Sequence, residues 1–214
     1  MSVVLYLGKT ESGKSFKANQ VTKDNYKKVI LYDNARCFND GIIINDFSPK
    51  NFANIFKKYV LADSFRLIFR APLGMNEREG AERVANLIYN GFGRYWVANN
   101  LKPDRLCFLV DEADKVSSLK INSPFYLVVT KGRHYFIDTH AISQGPGKIP
   151  LYYRENASEC YFFKMKSHPF INENLENNQV DLIRTLKQFH CIHWKDNGDV
   201  ELLNEKGRAV KSWN

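Results

Sequence analysis

Residues Gly8-Lys9-Thr10-Glu11-Ser12-Gly13-Lys14-Ser15 fit the pattern G-x-x-x-x-G-K-[S/T] in full. Glycines at those positions permit a tight loop whose backbone N–H groups cradle phosphates, and a helix opening behind the loop adds a favourable dipole. Lys14 then reaches the β- and γ-phosphates of a nucleoside triphosphate, serving both binding and catalysis. The Ser15 hydroxyl binds Mg²⁺, and Phe16, which opens the helix, completes the expected nucleotide-binding run Gly8–Phe16. The plain alternative is a chance match in a glycine-containing turn. A second pair of residues argues against chance. Asp111-Glu112 ends the apolar run Leu106-Cys107-Phe108-Leu109-Val110. An acid at the end of such a strand is the usual Mg²⁺ partner of a phosphate loop, and the next Glu is placed to activate water. Ser15 and Asp111 are therefore the expected metal ligands, Glu112 the expected general base, and ATP with Mg²⁺ the expected cofactors. Without the upstream loop, Asp111 and Glu112 would read equally well as solvated acids at a helix start.

Both motifs need strands that hold them at one edge of a sheet. Ser2–Leu7 is apolar and reads as a buried strand, and Phe16–Gln20 can start a helix. Strands are expected over Lys28–Tyr32, Phe65–Phe69, Leu106–Val110, His134–Ile142 and Ser158–Lys164. Helices are expected over Phe52–Leu61, with Ser48-Pro49 as cap and first residue, and over Glu77–Val97, Pro124–Lys131 and Glu176–Phe189. Gly91 and Gly93 weaken the second of these midway. A hairpin is expected to close the sequence, Cys191–Lys195 and Val200–Leu203 around Asp196-Asn197-Gly198-Asp199. Strand and helix in alternation predict an α/β fold with a mostly parallel central sheet and helices on both faces. Residues 1–214 read as one P-loop (RecA/ASCE-like) domain. Residues 1–166 carry the motifs, and 167–214 form a C-terminal helix plus β-hairpin that completes the sheet or docks a partner.

The 214 residues suffice for one compact unit that buries about 70% of the surface of its unfolded chain. A formal net charge of +8 and a pI near 9.2 suit a polyanionic partner without demanding one. Cys37, Cys107, Cys160 and Cys191 form no C-x-x-C pair, and two lie inside apolar runs, as buried free thiols do. His190-Cys191-Ile192-His193 lacks a second ligand pair and is not read as a metal site. No apolar stretch approaches the roughly 18 residues of a membrane span, and the sequence opens on a strand rather than a leader peptide.

A third constellation separates subclasses. Gly132-Arg133-His134 precedes a strand that ends at Gln144, followed by Gly145-Pro146-Gly147-Lys148-Ile149-Pro150 and Arg154-Glu155-Asn156-Ala157. A strand-terminal amide beside the Asp111 strand can contact the γ-phosphate or the attacking water. An Arg at the other end of that strand points away from its own nucleotide and reaches one only across a subunit boundary. With these residues the sequence resembles the FtsK–HerA superfamily of ring-forming DNA-pumping ATPases. More narrowly, it resembles the genome-packaging ATPases of viruses with an internal membrane. The resemblance runs from about Ser2 to Met165. It implies Walker A at Gly8–Ser15, Walker B at Leu106–Glu112, Gln144 as sensor, Arg133 as arginine finger and Arg154 as second candidate. Plain surface or capping roles compete for both arginines. His134 and His140 read as packing or surface residues.

The resemblance also implies a homo-oligomeric ring, a hexamer or pentamer, that moves double-stranded DNA without regard to sequence. A capsid or membrane-vertex protein is the expected partner, and the host-cell cytoplasm or the virion vertex the expected location. Lys115, Lys120, Lys164 and Lys166 are candidate phosphate grips on DNA. Three other readings compete, of which the filamentous-phage assembly or export ATPase is the alternative within the ATPases. Asp111-Glu112-Ala113-Asp114 spells a helicase signature, but those enzymes need two tandem nucleotide domains. Small-molecule kinases have no need of the Asp-Glu pair. Filamentous-phage assembly ATPases resemble the chain over the same motifs but usually carry a membrane segment. A slow NTP-dependent switch remains the alternative outside enzymology, and Glu112 argues against it.

Overall fold

In the computed structural model, which describes residues 3–213, strand and helix alternate into one sheet. Its parallel strands are β1 (Val3–Leu7), β2 (Lys28–Tyr32), β3 (Ile42–Ile44), β4 (Phe65–Phe69), β5 (Leu106–Val110), β6 (Ile137–Ser143) and β7 (Ala157–Phe162). Three antiparallel strands extend it: β8 (Cys191–Lys195), β9 (Val200–Leu203) and β10 (Ala209–Trp213). The order is β10-β9-β8-β7-β1-β6-β5-β2-β4-β3. β1, β2, β5 and β6 are buried at every position, which explains the unbroken apolar runs of β1 and β5, while β6 also buries Asp138, Thr139, His140 and Ser143. Position 2, the expected start of the first strand, lies outside the described residues.

Nine α-helices are described: α1 (Lys14–Asn25), α2 (Pro49–Tyr59), α3 (Glu77–Asn86), α4 (Arg94–Ala98), α5 (Ala113–Val116), α6 (Pro124–Lys131), α7 (Leu151–Glu155), α8 (Pro169–Asn174) and α9 (Asn177–Thr185). Ser48 and Ser123 cap α2 and α6 by accepting from Asn51 N and Tyr126 N, each with Pro next in line. Pleating splits the core in two. Val3, Leu5 and Leu7 face one side with Phe92, Trp96, Phe125 and Tyr153, while Val4, Tyr6 and Leu109 face the other with Ala18. Helices thus lie on both faces as expected, but unequally. Among the described residues, α1 is the helix that packs into the second cluster.

Several boundaries differ from expectation for local reasons. The helix expected over Glu77–Val97 is α3 and α4 joined by a π-helical segment, Leu87–Gly93. The strand expected from His134 begins at Ile137, because a 3₁₀ turn at Gly132–Tyr135 and a left-handed Phe136 (φ 61) precede it. The strand expected over Ser158–Lys164 is β7, one residue earlier at its start and two at its end. The helix expected over Glu176–Phe189 stops at Thr185. Glu176 serves as its cap in a capping box with Gln179, and Phe189 (φ 63) cannot be helical. The C-terminal region is therefore two helices and a three-stranded meander, not one helix and a hairpin. β10 escaped notice because it is an edge strand, mostly exposed, with no burial pattern to read.

Candidate functional site

The loop Gly8–Gly13 leaves the C-terminal end of β1 and enters α1. Gly8 N donates to Ser143 O (3.3 Å) and Lys9 N donates to Lys164 O (3.1 Å), which ties the loop to the ends of β6 and β7. Gly13 precedes α1 at φ 103, a left-handed conformation that only glycine adopts freely. Among the described residues no side chain caps α1, and its first turn holds no acid. The N–H groups of that turn are therefore available to an anion. Ser12 Oγ is buried without a hydrogen-bond partner among the described residues. Lys14 is 8% exposed, and its Nζ donates to Lys9 O at 2.6 Å across the loop. Burial lowers its pKa, against the opposing pull of Asp111 and Asp114. An electropositive loop with orphaned donors is what a polyphosphate needs.

Asp111 and Glu112 end β5, which is separated from β1 by β6. Asp111 is 2% exposed, and burial, then the charges of Asp33 and Glu112, push its pKa up to about 6. Its Oδ2 accepts from Ala35 N at 3.2 Å. The Cys37 thiol adjoins both Ser15 and Asp111, and burial pushes its pKa up to about 12. Carboxylate and thiol atoms of Asp33, Cys37 and Asp111 lie within 4.8 Å of one another. Asp33 is already engaged by Arg70 Nε (2.8 Å), Cys37 N (2.9 Å) and Phe38 N (3.3 Å). A soft thiol is a poor ligand for a hard cation such as Mg²⁺. The hydroxyl of Ser15 and the carboxylate of Asp111 remain, a hard oxygen set that fits Mg²⁺.

Glu112 sits in the left-handed region (φ 49, ψ 47). Its Oε2 accepts from Asn34 Nδ2 at 2.7 Å and its Oε1 pairs with Lys115 Nζ at 2.5 Å. Burial raises its pKa, but Lys115 and Asn34 together outweigh that and hold the carboxyl below its ordinary value. Glu112 is thus an ionised base held by two side chains. Lys115, expected as a DNA grip, is spent on this contact. Gln144 follows the last residue of β6, between β1 and β5, and its Oε1 accepts from Lys148 Nζ at 2.6 Å. Arg133 lies at the opposite end of β6, exposed on the 3₁₀ turn beside His134. Arg154 is half-buried in α7, its Nε without a hydrogen-bond partner among the described residues. Lys164 and Lys166 line a basic cavity of about 500 Å³ with Lys9 and Arg184 beside the loop. Lys120 lies on the exposed segment between α5 and α6.

The structure therefore brings Lys14, Ser15, Asp111, Glu112 and Gln144 to the C-terminal ends of three neighbouring strands, and places Arg133 at the other end of the sheet. Sequence reasoning missed Asp33, Asn34, Cys37 and Arg70. Their signal was present: Asp33-Asn34 terminates a buried strand. Its meaning depended on β2 lying next to β5, which the linear order does not state.

No family model matches the sequence, and no curated protein does. The fold is shared with solved structures. The genome packaging NTPase B204 of Sulfolobus turreted icosahedral virus 2, in complex with AMPPCP, superposes with a TM-score of 0.69 at 13% identity over 98% of both chains. B204, the DNA-packaging ATPase of Sulfolobus turreted icosahedral virus, gives 0.60 at 16% identity over 97% of both. VirB4 of Thermoanaerobacter pseudethanolicus gives 0.62 at 12% identity over 90% of this chain and 86% of the other. The fold that the resemblance to FtsK–HerA ATPases implies is the fold observed, and at these identities it is the fold that is shared.

Proposed function

We propose that the chain is an ATPase that drives double-stranded DNA into a preformed viral capsid, acting as one domain within a homo-oligomeric ring. One observation carries the reading. Lys14 and Asp111 lie far apart in sequence on two motifs found independently, yet both stand at the C-terminal ends of β1 and β5, on either side of β6. In this reading the α1 N-terminus, Ser12 and Lys14 hold the phosphates of ATP. Ser15 and Asp111 hold Mg²⁺, which supplies charge neutralisation on the phosphates when bound. Glu112 takes the proton of the attacking water, and Gln144 orients that water or contacts the γ-phosphate. β6 spans about 20 Å at seven residues, so Arg133 at its far end serves a neighbour's site rather than its own. Arg154 is the second candidate for that role. The net charge of +8 suits the phosphate backbone of DNA, with Lys120, Lys164 and Lys166 as contacts. A capsid or vertex protein would seat the ring, in the host cytoplasm or at the virion.

The test is ATP hydrolysis with and without long duplex DNA, with Glu112→Gln as the blank. Turnover stimulated by DNA and lost by at least about a hundredfold in the blank is expected, with ATP still bound. Slow turnover that ignores both DNA and the substitution would overturn the motor in favour of a switch.

A further inference from the structure

Two phenylalanines stand exposed beside the phosphate loop, and the catalytic scheme uses neither ring. Phe16 is 58% exposed and Phe189 is 40% exposed. Isolated exposed apolar side chains need no explanation. These two touch, edge to face, with centroids 5.6 Å apart at 72°. They also converge from opposite ends of the sequence. Phe16 is in the first turn of α1, and Phe189 lies between α9 and β8. The segment bearing Phe189 is fastened to the loop twice: Phe189 N donates to Ser12 O at 3.0 Å, and Gln188 Nε2 donates to Glu11 O at 2.9 Å. Its ring passes so close to Gly13 that a Cβ there would lie 2.6 Å from Phe189 Cδ1. Phe189 itself is left-handed at φ 63. A non-glycine residue held there is uncommon and points to a constraint worth explaining.

The direction in which a nucleotide would lie supplies the explanation. The lysine of such a loop reaches the β- and γ-phosphates, while the backbone at the helix start cradles the α-phosphate side. With Lys14 marking the γ end, the ribose and base leave the loop over the first turn of α1, where Phe16 and Phe189 stand. We infer that Phe16 and Phe189 form the platform on which the aromatic base of the nucleotide stacks, so that the C-terminal region completes the nucleotide site. This rests on the nucleotide-binding reading of the loop. Stacking tolerates any base, so the platform adds affinity for nucleotides over bare polyphosphate rather than choice among bases.

Calorimetric titration of the full chain with Mg·ATP and, separately, with inorganic tripolyphosphate tests this. Phe189→Ala should weaken ATP about tenfold, within the range for removal of one base-stacking ring, and change tripolyphosphate less than about twofold. Phe189→Trp should restore ATP affinity. Phe16→Ala, on an exposed helix surface, should act in the same direction and guards against a folding defect in the first variant. Unchanged ATP affinity, or an equal loss for both ligands, overturns the platform. So does a loss of self-association with ATP affinity intact, which would make the aromatic pair a contact between copies. Lys14→Ala separates the two levels: if it leaves both ligands bound as before, the phosphate-loop reading itself fails, whatever Phe189 does.

Discussion

Two adjacent carboxylates, Asp111 and Glu112, are driven in opposite directions by their surroundings. Burial lifts Asp111 to about 6, while Glu112 is held low because Lys115 and Asn34 outweigh its burial. The lifted group bears on stability as well as chemistry. Its folded-state pKa lies above the ordinary 3.8, so its contribution is fully present below about pH 4 and is lost as the pH rises through about 6. At neutral pH an ionised, buried Asp111 therefore weakens the fold, by up to about 3 kcal/mol for a shift of about two units. Asp111→Asn, without divalent cation, should raise the melting temperature at pH 7.5 by several degrees and gain much less at pH 4.5. A gain that is absent at pH 7.5, or equal at both values, would refute burial as the cause. The motif residues themselves were legible in sequence because their chemistry is tied to spacing. Asn34 was not, since its contact with Glu112 spans 78 positions and depends on strand order.

At the scale of elements, strands buried on both faces announced themselves, and failures gathered where an element is short, exposed or irregular. β3 and β10 are edges, with no alternation to read. The π-helical segment between α3 and α4 is the clearest irregularity inside an expected helix. Gly93 within it lies against Tyr135 and Ile137, where a Cβ would come within 2.9 Å of Tyr135 Cβ, whereas at Gly91 the nearest atoms are an ordinary 3.5 Å away. Gly93→Ala should cost about 1–3 kcal/mol in urea unfolding, because the 3₁₀ turn before β6 must move. Gly91→Ala should be neutral or slightly stabilising. Equal effects would mean that the segment is set by backbone propensity and not by this packing. His140 belongs to the same scale. It is 1% exposed on β6, hydrogen-bonded to the hydroxyls of Tyr6 and Tyr26 (3.0 Å each), and burial lowers its pKa to about 4. Its sequence reading as a packing residue agrees with that position. The neutral ring contributes stability above pH 6.5 that is lost as the pH falls towards 4, so part of the acid sensitivity of the fold should disappear in His140→Asn, measured by unfolding between those values.

Across the whole molecule, the length of β6 separates the Gly8–Gly13 loop at one end of the strands from Arg133 at the other. If Arg133 serves a neighbour, Lys14→Ala and Arg133→Ala should each be nearly inactive alone, yet regain turnover when mixed. Random assembly pairs an intact loop with an intact finger at about a quarter of interfaces, which sets the expected recovery. No recovery from co-assembled rings would leave Arg133 acting within its own chain or not at all. This division was readable in outline from the strand that Gly132-Arg133 precedes and Gln144 follows. The order of strands was not readable, and it has a consequence for how the protein is made. β1 lies at the heart of the sheet between β6 and β7, and its Tyr6 meets His140 across 134 positions. On the ribosome, Val3–Leu7 emerges as a bare apolar strand long before either flanking strand has been translated. It then waits, exposed to chaperones and to self-association, until β6 and β7 have also left the ribosomal exit tunnel, so synonymous pauses before that moment would lengthen the wait and later pauses would not.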